Sequence, residues 1–409
     1  MSDSELANTR AKIVTLTIKE LEADPHGVFR RYRPIGPLIG HEAGGYMVLR
    51  SSDVEQLIRD PRLRQIETEY AELRGIKEGV LFDGFKYGML TSNEIAHRRR
   101  RSPFNRTFAA RLIAELRPTI RKIAGELIDG WYADGQVDLV DGYAALIPAR
   151  AISELLGLPK EDIPYFTKLV YSISRILSFT FAPEDLPEME AAACQLYDYV
   201  VGLADDRRKM PRDDFLSSYV MDADKGGELL AVEIIFQIIG LIIGGTDTTR
   251  VAMAAQVSLL LQHREQWDAI CRDAALIPGA VAEALRYEPS VGSLARFSIE
   301  DIELDGQILP RDRSVTLSTM SAMRDEHVYE QPDIFNIRRT DQRRPHPVFG
   351  GGPHRCIGEA LARAELEEGL AVLVERIPQL HLAGSPPKIQ GHLGIRRIGD
   401  MPVEWKFRP

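Results

Sequence analysis

Cys356 stands inside the run Phe349-Gly350-Gly351-Gly352-Pro353-His354-Arg355-Cys356-Ile357-Gly358, and Glu359 to Arg363 then read as the start of a helix. A helix N-terminus exposes unpaired N–H groups and partial positive charge. Both stabilise a thiolate, and the N–H groups of Ile357 and Gly358 could hydrogen-bond to its sulfur. A thiolate held this way can serve as an axial ligand of iron. A phosphate cradle is the competing chemistry for a Gly-rich loop before a helix, but neither GxxxxGK[ST] nor GxGxxG is present. Taken alone, the cysteine would also suit a small buried hydrophobic position.

Three further groups carry possible chemistry. Gly244-Gly245-Thr246-Asp247-Thr248-Thr249 lies inside a long helical pattern running from Gly226 to His263. Glycine in a helix interior costs about 1 kcal/mol relative to alanine, and threonine side chains compete for backbone hydrogen bonds. Such a run fits a place where something flat approaches the backbone and the helix opens; an N-cap or a kink is the structural alternative. Glu283 and Arg286 are three residues apart and share a helix face. His97 and Arg101 bracket a basic run and point the same way on a helix, although such runs are usually solvated faces.

Those groups need a large, mostly helical frame. Helical patterns cover Arg111–Trp131, Gly226–His263, Gly279–Arg286 and Glu359–Arg376, whereas strand signals are short. They fall at Tyr46–Ser51, at Ile302–Leu304 and Val315–Thr319 around an Asp305-Gly306 turn, and near His381 and Val403–Phe407. The chain has 409 residues, 44% hydrophobic and 27% charged, which excludes disordered and collagen-like classes. A formal charge of -9 argues against a nucleic-acid partner. The most apolar stretch, Ile234–Ile243, is interrupted by Gln237 and falls short of the ~20 residues that span a bilayer. With no export signal at the N-terminus, the expectation is a cytoplasmic protein with no membrane contact. Cys194, Cys271 and Cys356 are too few and too scattered for a disulfide framework or a zinc site.

The Phe-x-x-Gly-x-His-x-Cys-x-Gly pattern at 349–358 resembles the haem-binding signature of cytochromes P450. Gly244-Gly245-x-Asp247-Thr248 resembles that family's acid–alcohol motif, and the Glu283/Arg286 pair follows it in family order. The resemblance runs from about residue 10 to 407. It implies one cytochrome P450 domain over 1–409, mainly α with a small antiparallel β region near 30–60 and 300–320. The haem would lie between a long central helix and the Cys-bearing loop-helix.

By the same resemblance, Cys356 is the axial thiolate of haem b, with Phe349 packing near the sulfur. His354, His97, Arg101 and Arg296 reach the haem propionates. Asp247 and Thr248 deliver protons during activation of O2, while Gly244 leaves room. Glu283 and Arg286 form a buried network with Arg339, although Arg338 is adjacent and the choice stays open. The pocket draws on Ile243, Val291, Ser293 and Leu294, for an apolar or aromatic small substrate. The chain has no flavin or nicotinamide fingerprint, so a [2Fe–2S] ferredoxin and an FAD-dependent reductase supply electrons to a monomer. Arg98–Arg101, with Arg106, Arg343, Arg344 and Arg355, would form a positive docking surface. A haem-thiolate peroxygenase and a non-catalytic haem-binding sensor are the alternatives.

Overall fold

The computed structural model describes residues 13–107, 110–178, 181–343 and 345–406. The chain divides into two compact units, each assembled from three separate segments. Unit one takes residues up to Ile66, Pro278–Cys356 and Ile389–Arg397; unit two takes Glu67–Ile277, Ile357–Lys388 and the residues from Ile398 on. Cys356 is thus the last residue of a unit-one segment.

Unit one is built on a six-stranded sheet of β1 (Thr15–Leu16), β2 (Leu38–His41), β3 (Tyr46–Val48), β4 (Leu63–Arg64), β5 (Ser293–Ser298) and β6 (Ser314–Ser318), in the order β1-β2-β3-β6-β5-β4. The β1–β2 and β3–β6 pairings are parallel and the others antiparallel. Leu38, Val48, Leu57, Leu309, Val315 and Leu317 bury their side chains together as its core. Beside the sheet, Asp305 and Gly306 both adopt positive φ, and they close a two-residue hairpin between Ile302–Leu304 and Gln307–Leu309. That is the turn chemistry an Asp-Gly pair favours.

Helices of ten or more residues are numbered along the chain: α1 Glu94–Thr107, α2 Ala110–Trp131, α3 Leu146–Leu156, α4 Ile163–Ser174, α5 Leu186–Lys209, α6 Phe215–Gly226, α7 Ala231–Gln262, α8 Ile277–Tyr287 and α9 Glu359–Arg376. In unit two, α9 packs along α2, and α7 packs against α3, α4, α5 and α9. Arg117 of α2 stitches that first contact by reaching Glu367 at 2.5 Å and Glu368 at 2.8 Å.

The helix expected over Gly226–His263 is two elements. Gly227 takes a left-handed φ of +63° and ends α6, and α7 begins only at Ala231. Glycine accepts that conformation without a Cβ clash. Glu233 then satisfies the first turn of α7 by accepting the Leu230 N–H at 2.9 Å. By length and composition α7 could cross a membrane, yet 67% of its most apolar window is buried within the protein. Gln237, the polar interruption, donates to the carbonyls of Tyr87 and Glu233.

Candidate active site

The cysteine loop of unit one is shaped by its glycines. Gly350 and Gly352 hold φ of +71° and +61°, conformations that L side chains rarely adopt. Gly351 lies against Ile58, whose Cγ2 would stand 3.0 Å from an added Cβ. The Cys356 N–H donates to the Phe349 carbonyl at 2.8 Å, and Arg355 donates to the Gly350 carbonyl at 2.9 Å. The run is therefore folded back on itself, with Cys356 exposed. His354 and Phe349 are half-buried in the same turn, and Ile357 and Gly358 lead into α9.

Leu294 of β5 lies beside this loop, with Cδ1 3.8 Å from where a Gly350 Cβ would be. Two residues along the same strand, Arg296 is buried, at 6% exposure. Its Nη1 donates to Gln65 Oε1 at 3.2 Å and to the Ala295 carbonyl at 2.8 Å. No carboxylate among the described residues pairs with it, and burial brings its guanidinium down to about 10. A buried cation without a counter-ion is costly. Arg296 is suited to an anion supplied from outside the chain, and a haem propionate fits that requirement. Ser293 is committed to the Gly394 N–H at 3.1 Å, and Val291 pairs with Ile395 in an isolated bridge.

Glu283 and Arg286 of α8 are both fully buried and joined by two bonds, at 2.7 and 2.8 Å. Arg339 Nε completes the set at 3.2 Å from Glu283 Oε2, and the neighbouring Arg338 is exposed. Arg286 also donates to the carbonyls of Met323 and Pro332, so every charge is paired inside the protein.

In unit two, α7 carries Ile243, Gly244, Asp247 and Thr248. A Cβ at Gly244 would meet nothing within 4 Å, whereas one at Gly245 would press on Ile152. The two glycines thus do different work: Gly245 lets α3 approach, and Gly244 leaves open space. Thr248 Oγ1 donates back to the Gly244 carbonyl at 3.1 Å. Asp247 is buried and accepts from Arg250 through one oxygen, at 3.0 and 2.6 Å. Arg250 escaped notice in the sequence, although its i+3 spacing from Asp247 was a readable signal.

His97 of α1 is buried, and burial together with the nearby Arg101 brings its imidazole down to about 4. It is a neutral imidazole at physiological pH, able to donate one hydrogen bond but contributing no positive charge. The basic run itself is divided. Arg99 and Arg100 both bind Glu233, at 2.5 and 2.8 Å, while Arg98 is exposed. Arg343 is held by Glu55 at 2.7 Å, and Arg344 lies outside the described residues.

Comparison with known proteins identifies the family. The cytochrome P450 family model matches residues 272–390. The plant-inducible cytochrome P450-pinF1 of Rhizobium radiobacter is 43% identical over 95% of this chain and 92% of its own. Nocardicin C N-oxygenase of Nocardia uniformis subsp. tsuyamanensis is 35% identical, over 88% and 89%. Mycinamicin IV hydroxylase/epoxidase of Micromonospora griseorubida is 34% identical, over 94% and 95%. Among solved structures, CalO2 superposes with a TM-score of 0.88 at 28% identity, covering 95% of this chain and 97% of that one. The chain belongs to the cytochrome P450 family. It is a monooxygenase whose cofactor is haem b and whose co-substrate is O2.

Proposed function

We propose that this enzyme inserts one oxygen atom into an apolar or aromatic small molecule, with two electrons from a [2Fe–2S] ferredoxin served by an FAD-dependent reductase. Haem b, when bound, supplies oxygen activation and the oxidising power. Cys356 would hold the iron as a thiolate, exposed at the end of a loop whose glycines fix its backbone. Arg296, His97, Arg101 and His354 would hold the propionates, Arg296 most firmly because it has no carboxylate of its own. Phe349, whose carbonyl accepts the Cys356 N–H, would pack near the sulfur, and the N–H groups of Ile357 and Gly358 would stabilise it. Ile243, Val291 and Leu294 would supply apolar pocket wall, with Ser293 beside them tying down the 391–396 turn.

The observation that carries this reading is the Asp247–Thr248 pair on α7. A buried acid next to a hydroxyl, beside a position where a Cβ meets open space, is a means of passing protons one at a time. Proton transfer by a positioned side chain is worth roughly 10²- to 10⁴-fold. Relatives named for N-oxygenation and for hydroxylation or epoxidation support small-molecule oxygen insertion as the reaction type.

The test is Thr248→Ala in the reconstituted system. NADPH consumption is expected to continue while product per NADPH falls on the order of tenfold and peroxide takes up the difference. Fully coupled turnover in that variant would remove the role assigned to Thr248. The substrate class is checked by screening small molecules for a shift of the haem absorption spectrum, with apolar and aromatic compounds expected to dominate the hits.

A further inference from the structure

In unit one, the 391–396 turn is held from two sides. On one side it is zipped to the chain that leads into β5. The Arg396 N–H donates to the Ser290 carbonyl at 2.8 Å, the Gly292 N–H to the Gly394 carbonyl at 2.8 Å, and the Gly394 N–H to Ser293 Oγ at 3.1 Å. Gly292 permits this approach, since an added Cβ would stand 2.9 Å from the His392 carbonyl oxygen. On the other side the turn meets the short helix Ile18–Ala23 and the last residue of β2 through three side chains. His392 Nδ1 lies 2.5 Å from Glu22 Oε1, and His392 Nε2 lies 3.2 Å from His41 Nε2. The Gly391 N–H donates to Glu22 Oε2 at 3.2 Å, and the Ala43 N–H donates to His41 Nδ1 at 3.2 Å. Both rings are buried, His41 at 7% exposure and His392 at 2%.

These contacts assign the ring hydrogens. His41 accepts at Nδ1, so its own hydrogen sits on Nε2 and is donated to His392 Nε2. His392 then carries its hydrogen on Nδ1 and donates it to Glu22. Every ring nitrogen is used, both rings are neutral, and no lone pair is left between them for a metal ion. A proton added to either ring removes an acceptor from the chain. Two N–H groups then face each other, either between the rings or at Ala43. Burial, and the facing His392, hold the His41 imidazole below its usual range, against the pull of Glu42 and Glu22. Arg396 adds a permanent positive charge near Glu22. Its guanidinium is shared with Glu288, which also binds His26 and Arg324.

We propose that His41 and His392 are positioning residues that hold the 391–396 turn, and through it the Ser293–Leu294 pocket wall, only while both rings are neutral. The proposal rests on the pocket-wall placement given above. The fold favours the neutral His41 ring, so the clasp is complete above about pH 6.5, where imidazole ordinarily titrates, and gives way as pH falls below it. A turn released from β2 and the short helix still keeps its bonds to Ser290, Gly292 and Ser293. It therefore moves together with the entry to β5, and the wall moves with it.

The experiment uses the holoprotein and 7-ethoxycoumarin, a neutral probe with no group that titrates between pH 5 and 8. Hydrogen exchange of the 389–397 segment, corrected for the intrinsic effect of pH, reads the clasp. The haem spin-state shift reads probe affinity. In the parent, corrected exchange is expected to be on the order of tenfold faster at pH 5.5 than at pH 7.5, and the probe Kd to rise several-fold over the same range. In His41→Gln/His392→Gln both quantities should lose their dependence on pH. Glu22→Gln retains both rings and removes a negative charge that favours their protonation, so its exchange response should move to lower pH. This single variant keeps the test open where the double variant fails to bind haem. Parent exchange that does not respond to pH would overturn the clasp, as would a response that survives in the double variant or stays unmoved in Glu22→Gln. An exchange response of the expected kind with no change in probe affinity would instead overturn the pocket-wall placement of Ser293 and Leu294.

Discussion

Glu365 of α9 is a carboxyl with almost no contact with water, at 1% exposure, and its Oε1 finds no hydrogen-bond partner. Burial pushes it up to about 8 from an ordinary 4.5, against an opposing hydrogen bond with Thr249. The folded protein therefore holds this proton more tightly than the unfolded chain does. Its contribution to stability is complete below about pH 4.5 and is lost as pH rises towards 8, at up to about 1.4 kcal/mol per pH unit inside that window. Glu365→Gln keeps the shape and carries no titrating proton, so the variant should lose less thermal stability than the parent between pH 6 and 8. Calorimetric midpoints at both pH values check this. Parallel losses in the two proteins would mean that Glu365 ionises freely within the fold. The opposite case is Glu288, also buried, which Arg396, His26 and Arg324 together hold well below the usual carboxylate range. The same burial raises one carboxyl and fails to raise the other, because only the second is surrounded by cations.

At the scale of elements, what α7 and α8 do is decided by small residues and their neighbours. Helix propensity alone says that Gly→Ala should stabilise any helix interior by about 1 kcal/mol. The surroundings set the sign instead. Gly244→Ala adds a methyl group to open space, so the thermal midpoint should hold or rise; on the role proposed for Asp247 and Thr248, product per NADPH should drop. Gly279→Ala in α8 would place its Cβ 2.5 Å from the Ile337 carbonyl. That backbone belongs to the 336–339 segment, where the Asn336 N–H and the Arg339 guanidinium both reach Glu283. Overpacking there should cost roughly 1–3 kcal/mol and loosen the buried charge network. A thermal-shift series on both variants separates the cases, and equal effects would refute the packing argument. Much of this level was legible in the sequence: the helix at 359–376, the Asp-Gly hairpin, and the Glu283–Arg286 spacing all depend on local patterns. What escaped it needs three-dimensional partners. The choice of Arg339 over Arg338 depends on which of two adjacent side chains turns inward. The partner of Arg296 is Gln65, 231 residues away in the chain. The start of α7 was missed because the expected helix was opened at Gly226, and the left-handed backbone of Gly227 is invisible to periodicity.

At the scale of the whole molecule, a formal charge of -9 would repel an acidic electron donor at long range. Docking of the ferredoxin proposed above would then depend on local arginines, and the run Arg98–Arg101 does not form one patch. Burial alone would push the Glu233 carboxyl up, but the Leu230 N–H, Arg100 and Arg99 outweigh it and hold the group below its ordinary range. Arg99 and Arg100 are thereby occupied in fixing the start of α7, whereas Arg98 is exposed and free among the described residues to meet a partner. Neighbouring substitutions should therefore fail in different ways. Arg98→Glu is expected to leave the thermal midpoint unchanged and to raise the KM for ferredoxin several-fold at low salt. That difference should shrink as ionic strength approaches ~1 M, where the screening length falls to about 3 Å. Arg100→Gln strips a charged hydrogen bond from buried Glu233 and should cost about 1–3 kcal/mol of stability at any ionic strength. Its ferredoxin KM should follow the parent's salt dependence. Titrating ferredoxin at several salt concentrations, with thermal midpoints taken on the same preparations, tests both claims. A salt-dependent KM defect in Arg100→Gln equal to that of Arg98→Glu would return the four arginines to a single docking surface. Glu233 would then be a partner they exchange for the acidic protein, not a fixed anchor of α7.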